Sequence, residues 1–353
     1  MAFSTIPTAG LSTGGANFRN LIINGDMSIA QRGTSSTGIT GEGYKTIDRF
    51  VVINNSTGTW TMSQETDAPS GQGFVKSLKM ACTTADASTP NYLFLSQRLE
   101  GQMLQHLKKG TSNAESLTAS FWVKSNKTGT YIVELYDQDN ARQISKSYTI
   151  SSADTLEKKT ITFEGDTTGT LGNDNTTSLQ FNIWLDAGSA FTSGTLSTTW
   201  TANNTSRAVG QANLADSTSN NFYITGVQLE VGTTASDFEF LPYDVNLKRC
   251  ERYYQILQGF EGSMRTSVGF GCTTMFRTQM RSAPSVTQSG ALQITDGNAD
   301  FTQSSTSVSI PAGRVTSLGV QLYFVNFSGL TQFRPAGQNT NVNDSKVGAD
   351  AEL

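Results

Sequence analysis

Leu117-Thr118-Ala119-Ser120-Phe121-Trp122-Val123-Lys124 decides the fold, because apolar side chains stand at every odd position and polar ones at most even positions. A period of two over roughly four to eight residues is the pattern of a strand with one buried face. The alternation returns in Tyr131-Ile132-Val133-Glu134-Leu135-Tyr136, in Leu179-Gln180-Phe181-Asn182-Ile183-Trp184-Leu185-Asp186 and in Val227-Gln228-Leu229-Glu230-Val231. Turn-forming clusters such as Asn126-Lys127-Thr128-Gly129 and Asp137-Gln138-Asp139-Asn140 punctuate these runs. Many short strands joined by such turns predict an all-β sandwich or jelly roll, not an alternating α/β fold.

Helix is scarce in the pattern. Glu100–Lys109, with Gly110 as a stop, is one candidate. A second begins near Asp244 or Asn246, either of which can cap it. It sets Leu247, Cys250, Tyr254 and Leu257 at coiled-coil-like spacings. Such a seam fits a helix packed on its own sheet, or a short helix around a symmetry axis with these four as oligomerisation residues.

After Gly259 the β pattern resumes, in Ser263–Arg281, Thr306–Ile310, Val315–Val320 and Leu322–Phe327, and the polar tail Thr331–Leu353 reads as loosely held. The expected organisation is an arm over 1–19, a jelly roll over 20–243, a connector helix over 244–259, and a smaller β-sandwich-like domain over 260–353.

Composition excludes several functions. Only 15% of the 353 residues are charged, against about a quarter in an average domain, so hydroxyls and amides must make up much of the surface. A formal charge of −4 leaves no basic footprint for nucleic acid. No apolar run approaches the roughly 18 residues of a membrane helix. Met1-Ala2-Phe3-Ser4-Thr5-Ile6-Pro7 has neither the basic nor the apolar stretch of a signal peptide. Cys82, Cys250 and Cys272 contain no CxxC spacing and predict neither a disulfide framework nor a zinc site.

Asn20-Leu21-Ile22-Ile23-Asn24-Gly25-Asp26-Met27-Ser28-Ile29-Ala30-Gln31-Arg32-Gly33-Thr34, followed by Gly43–Phe50 (GYKTIDRF), resembles the opening of a module in bacteriophage tail fibres and minor virion structural proteins. Leu117–Ser125 (LTASFWVKS), Thr225–Leu241, Leu247–Tyr254 (LKRCERYY) and the terminal Asp350-Ala351-Glu352-Leu353 are similar to the same proteins, in the same order. The resemblance implies a carbohydrate-binding-module-like jelly roll followed by a C-terminal β domain, often in homotrimers, located in the virion. It also implies other virion proteins as partners, met through the N-terminal arm. A chain made in the cytoplasm and working outside the cell agrees with a hydroxyl-rich surface and no export signal.

The chemistry follows from what is present. The lone histidine, His106, has no motif partners for a nucleophilic triad or a catalytic zinc. A glycoside hydrolase needs two placed carboxylates, but Asp137, Asp139 and Asp174 sit in turn-like contexts where Asp serves backbone geometry. No catalytic residue and no cofactor is therefore expected; the same turn oxygens leave structural calcium open.

Strand faces are more informative. With Leu117, Ala119, Phe121 and Val123 inward, Trp122 faces outward; with Phe181, Ile183 and Leu185 inward, Gln180, Asn182 and Trp184 face outward, and Glu134 and Tyr136 oppose Val133 and Leu135. Aromatic rings stack on sugar C–H faces while amides and carboxylates bond hydroxyls. Trp122, Trp184, Tyr136, Asn182, Gln180 and Glu134 are thus glycan-binding candidates, unless a loop or a neighbouring subunit covers them. The expected function is non-catalytic attachment to host-surface glycans as a tail-fibre or tail-associated protein. A capsid decoration or head-fibre protein, and a polysaccharide depolymerase, are the alternatives.

Overall fold

A computed structural model describes residues 18–86, 91–339 and 345–353. Almost all of the arm expected over 1–19 lies outside the described residues. The chain divides into two compact units. The first holds residues up to Ser28 together with Thr34–Thr46 and Phe50–Leu241; the second holds Ile29–Gly33, Ile47–Arg49 and Pro242–Leu353.

The first unit contains β1 (Ser35–Ile39), β2 (Gly43–Tyr44), β3 (Val51–Asn55), β4 (Thr59–Glu65), β5 (Ser77–Thr84), β6 (Tyr92–Glu100), β7 (Leu117–Ser125), β8 (Gly129–Asp137), β9 (Arg142–Ile150), β10 (Glu157–Phe163), β11 (Thr177–Ala187) and β12 (Asn221–Val231). They form two six-stranded sheets of antiparallel pairs, in the orders β1-β4-β5-β12-β7-β10 and β2-β3-β6-β11-β8-β9. Successive strands repeatedly switch sheets, which makes the unit a jelly-roll sandwich.

Its buried side chains are those the alternation predicts: Ala119, Phe121 and Val123 on β7, Val133 and Leu135 on β8, Phe181, Ile183 and Leu185 on β11. Glu100–Lys109 is not a helix. It forms two single 3-10 turns, Gly101–Met103 and Gln105–Leu107, with Lys108 left-handed at their end and His106 exposed.

The opening motif has a structural task here. Asn20 donates from Nδ2 to the Val227 carbonyl and accepts from the Ile22 and Leu229 N–H groups. The Ile23 backbone closes a two-way bond with the Gln97 side chain. All of this lies beside a bulge in β12 between Thr225 and Gln228. A Cβ on Gly25 would stand 2.0 Å from the Val227 carbonyl oxygen, so only glycine permits the approach.

The second unit opens with α1 (Tyr243–Glu251), then β13 (Tyr254–Leu257), β14 (Glu261–Thr266), β15 (Gly269–Met275), β16 (Ser285–Ser289), β17 (Gln293–Thr295), β18 (Asp300–Thr302), β19 (Val308–Ser309), β20 (Gly319–Phe324), β21 (Pro335–Gln338) and β22 (Lys346–Asp350). A three-stranded sheet β13-β22-β16 and a seven-stranded sheet β18-β17-β21-β14-β15-β20-β19 share one core that includes Leu257, Met264, Phe270, Leu322, Phe324 and Val347.

Two expectations are corrected here. The helix stops at Glu251, and Tyr254 and Leu257 stand on a strand paired with Asp350 and Val347. Leu247, Cys250, Tyr254 and Leu257 therefore form no helical seam. Cys250 and Leu257 are buried, and Leu247 and Tyr254 are half-buried. The physical reason is the run Tyr253-Tyr254-Gln255-Ile256-Leu257, whose aromatic and branched side chains suit a pleated, half-buried surface. Nor is the tail loose: β22 is the central strand of its sheet, with Val347 and Ala349 fully buried.

Parts of four stretches quoted from the sequence meet inside this unit. Arg32 pairs with Asp350 at 3.0 Å and Glu352 at 3.4 Å, its guanidinium 3.6 Å from the centre of the Tyr254 ring. Arg49, fully buried, pairs with Glu352 and lies 3.4 Å from the Tyr253 ring centre. Asp48 accepts from the Gln31 N–H at 2.9 Å and from Gln31 Nε2 at 2.6 Å. Burial pushes the Asp48 carboxyl up to about 6 even with those donors in place. Arg281 donates to the Ala351 and Glu352 carbonyls, which holds the chain end in this cluster.

Candidate ligand-binding face

Five of the six glycan candidates share the outer face of the second sheet in the first unit. The register places Gln180 opposite Tyr136 and Asn182 opposite Glu134 on one side of β11. On the other side Gln180 faces Arg98, Asn182 faces Ser96 and Trp184 faces Phe94. Trp122 is elsewhere. It stands half-buried on the opposite sheet, between Lys158 of β10 and Thr225 of β12.

Around Trp122 the outward positions are covered by the chain itself. Lys124 pairs with Asp67, Thr118 donates to the Gly232 carbonyl, and Glu230 accepts from the Ser236 N–H. Phe74, Phe238 and Phe240 pack on one another with ring centres 4.8–5.0 Å apart. Phe74 lies against Gly226, whose φ of +62° and missing side chain make room for the ring.

Trp184 does not present its ring to solvent. The segment 188–212 straps across the upper half of the sheet. Thr201 pairs with Gln143 at the β9 edge, and Phe191 and Ala208 join Phe94, Ile132 and Trp184 in a buried cluster. The Trp184 ring centre is 4.9 Å from Phe94 and 5.3 Å from Phe191. For Trp184 the structure thus shows the alternative that the sequence left open, a loop that covers the aromatic ring.

Arg207 of the strap reaches the middle of the face. Its Nε and a terminal nitrogen bond the two oxygens of Glu134 at 2.6 and 2.8 Å. Asn182 Nδ2 and Trp184 Nε1 donate to the same carboxylate at 2.9 and 3.3 Å. Four donors therefore converge on this one carboxylate, three of them on Oε2 and one on Oε1. Burial works against the charge on Arg207, but Glu134 outweighs it and holds the guanidinium above its ordinary value. The guanidinium also sits 4.6 Å from the Tyr136 ring centre.

The lower half of the face is more open. Tyr136, Gln180 and Arg98 are half-buried in one row, with Gln138 bonded to Gln180 at 2.9 Å and Glu42 to Arg98 at 2.6 Å. One row inward, Ser96 Oγ and Asn182 Oδ1 are buried and bond no protein group. Buried polar atoms are nearly always satisfied, and these two, Ser96 1% and Asn182 0% exposed, are suited to a shared buried water. Arg207, Ser96 and Arg98 escaped the sequence reading. Arg207 lies in a Ser/Thr/Asn-rich run without period, and Leu93–Leu99 is too apolar to show its outer face.

The remaining expected groups have structural partners. Asp137 pairs with Lys109, Asp139 accepts from the Gly172 N–H, and Asp174 accepts from Thr176. Among the described residues no group of three or more His, Cys, Asp or Glu is placed to hold a metal ion. The three cysteines are free and buried.

No protein-family model matches the sequence, and no curated protein matches it. Among solved structures, the chain is similar to the enzymatically active domain of tailspike protein 4 of bacteriophage CBA120, at 11% identity and a TM-score of 0.32 over 61% of this chain; the match spans only 22% of the tailspike chain. It is similar to a family 11 carbohydrate-binding module from Clostridium thermocellum in complex with a β-1,3-1,4-mixed-linked tetrasaccharide, at 13% identity and a TM-score of 0.30 over 57% of this chain and 98% of the module. A third similar structure is the N-terminal cellulose-binding domain of Cellulomonas fimi β-1,4-glucanase C, at 13% identity and a TM-score of 0.29 over 59% of this chain and all of that domain.

Proposed function

We propose that this chain is a non-catalytic attachment protein of a bacteriophage virion, tail-fibre or tail-associated, whose jelly roll binds neutral glycans of the host surface. The virion assignment rests on the sequence resemblance. The glycan assignment rests on one observation: the half-open row Tyr136–Gln180–Arg98, which sets an aromatic ring, an amide and a guanidinium side by side on one sheet face. A sugar supplies what that face lacks, hydroxyls that donate and accept at fixed spacing and a C–H face for an aromatic ring. Affinity per site is modest, and repeated copies on one particle multiply it.

The test is adsorption of the full chain to host cells and to their purified polysaccharide. Tyr136→Ala with Gln180→Ala should abolish adsorption while tryptophan fluorescence and thermal unfolding stay unchanged. Unchanged adsorption by a folded double variant refutes the glycan reading. Cryo-electron microscopy of the intact particle tests the virion reading and, by copy number, separates a tail position from a capsid one. Homotrimers, implied by the resemblance, are tested by light scattering.

A further inference from the structure

The half-open row on the second sheet ends in a corner. Tyr136 of β8 faces Gln180 of β11 on one side and Gln143 of β9 on the other. Gln143 is buried under the strap. Its backbone pairs with Thr201 in both directions, and its side-chain Nε2 donates to the Asn203 carbonyl at 2.9 Å. Just past Tyr136, therefore, the row is roofed by the chain itself.

The next row inward is closed along its whole length. Ser96, Asn182, Glu134 and Ser145 stand side by side on β6, β11, β8 and β9, and all four are buried. Arg207 marks the boundary between the two rows. It holds Glu134 in the closed row, while its guanidinium lies over one face of the Tyr136 ring in the open row. A bidentate, charge-assisted pair is geometrically rigid, so this wall does not yield easily.

Tyr136 is thus bounded on two adjacent sides, toward β9 by Thr201–Asn203 and along its own strand by Arg207. The sides toward Gln180 and the exposed Gln138 stay open. Any straight chain laid across the Tyr136 position meets one of the two walls. From Tyr136 to Arg98 the row crosses two interstrand spacings, about 10 Å, which is a short oligosaccharide and not a long groove.

We propose that this face recognises the end of a glycan chain and not its interior, with the terminal pyranose against Tyr136 and the following units over Gln180 and Arg98. An interior unit carries a further sugar where the terminal one carries none, and at this corner that further sugar would overlap the strap. Selectivity comes from the overlap, a contact built against the wrong ligand. The inference rests on the glycan reading above and adds which part of the chain is taken.

The test is calorimetric titration of the full chain with purified host polysaccharide, intact and randomly fragmented. Halving the mean chain length doubles the chain ends per unit mass, and should double the binding sites per unit mass. Tyr136→Ala should abolish the sites gained on fragmentation, with tryptophan fluorescence unchanged, and Tyr136→Phe, which keeps the ring, should retain them. A site count per unit mass that stays constant as the chains shorten overturns the proposal. If adsorption to host cells still depends on Tyr136 and Gln180 in that case, the proposed function stands and end recognition alone fails. Binding to neither preparation overturns both.

Discussion

Arg49→Met is the sharpest perturbation of the second unit. The guanidinium is fully buried, pairs with Glu352 and stacks on Tyr253. Methionine fills much of the same volume without the charge, so the variant strips the Glu352 carboxylate, 4% exposed, of one cation and leaves it Arg32 at 3.4 Å. Removing one member of a buried pair costs about 3–5 kcal/mol; the surviving Arg32 contact sets the expectation at the low end, about 3 kcal/mol.

Two intrinsic reporters separate the units. Trp60, Trp122, Trp184 and Trp200, the only 4 tryptophans, all lie in the first unit, while Cys250 and Cys272 are buried in the second. In a Cys82→Ser background, thiol labelling of Cys250 and Cys272 in native buffer should accelerate roughly a hundredfold, since about 1.4 kcal/mol is a factor of ten. Adding Glu352→Gln removes the orphaned charge and should restore at least half of the protection. Labelling within threefold of the parent would refute the buried-pair reasoning.

Three further outcomes are expected. Deleting 346–353 removes the central strand of the three-stranded sheet, so Cys250 and Cys272 should label as fast as in denaturant. Gly25→Ala brings a Cβ to 2.0 Å from the Val227 carbonyl and should cost the first unit about 2–3 kcal/mol in urea unfolding followed by tryptophan fluorescence; a loss below 0.5 would mean the segment yields freely. Asp186, buried with Oδ1 unpartnered, is pushed up to about 7, chiefly by burial, with Asp216 and Asp86 adding and the Ala187 N–H and Lys127 opposing. Between pH 4 and 7 the folded unit keeps a proton that the unfolded chain has lost, so stability falls as pH rises through that window, by on the order of 3 kcal/mol. Asp186→Asn should erase this component and unfold at higher urea than the parent at pH 8, with little difference at pH 4; parallel pH profiles for the two proteins would count against it.

Much of the sandwich was legible because alternation is a local signal. The faces of β7, β8 and β11 follow from the period; which strands pair does not, and only the structure sets Tyr136 beside Gln180 and Glu134 beside Asn182 while placing Trp122 on the other sheet. What covers a face is not local. Phe191 and Arg207 sit in a run whose composition predicts only loop, yet they cover Trp184 and pair with Glu134. At 243–257 two signals competed: the spacing of Leu247, Cys250, Tyr254 and Leu257 suited a helix, and tertiary pairing of Tyr254–Leu257 with β22 won. The second unit's use of 29–33 and 47–49 was beyond any local reading, because those residues stand 223 to 320 positions from the residues they bond.

The stretches that hold the two units together internally and the residues that form the candidate site are different sets. Asn20 and Gly25 fix the chain beside the β12 bulge. Gln31-Arg32, Asp48-Arg49, Tyr253-Tyr254 and Asp350–Glu352 close one ionic and aromatic cluster. Ser96, Arg98, Tyr136, Gln180 and Asn182 belong to none of them. A buried charge cluster tolerates little change because each member leaves another unpaired, whereas a half-exposed row such as Tyr136–Gln180–Arg98 can change with small cost to folding. Chains sharing these stretches should therefore share the thiol-protection response to Arg49→Met while differing in the sugar they bind. Grafting another such chain's residues at 98, 136 and 180 onto this one should transfer its glycan preference and leave the protection of Cys250 and Cys272 where it was; loss of that protection would show that fold and recognition are not separable in this way.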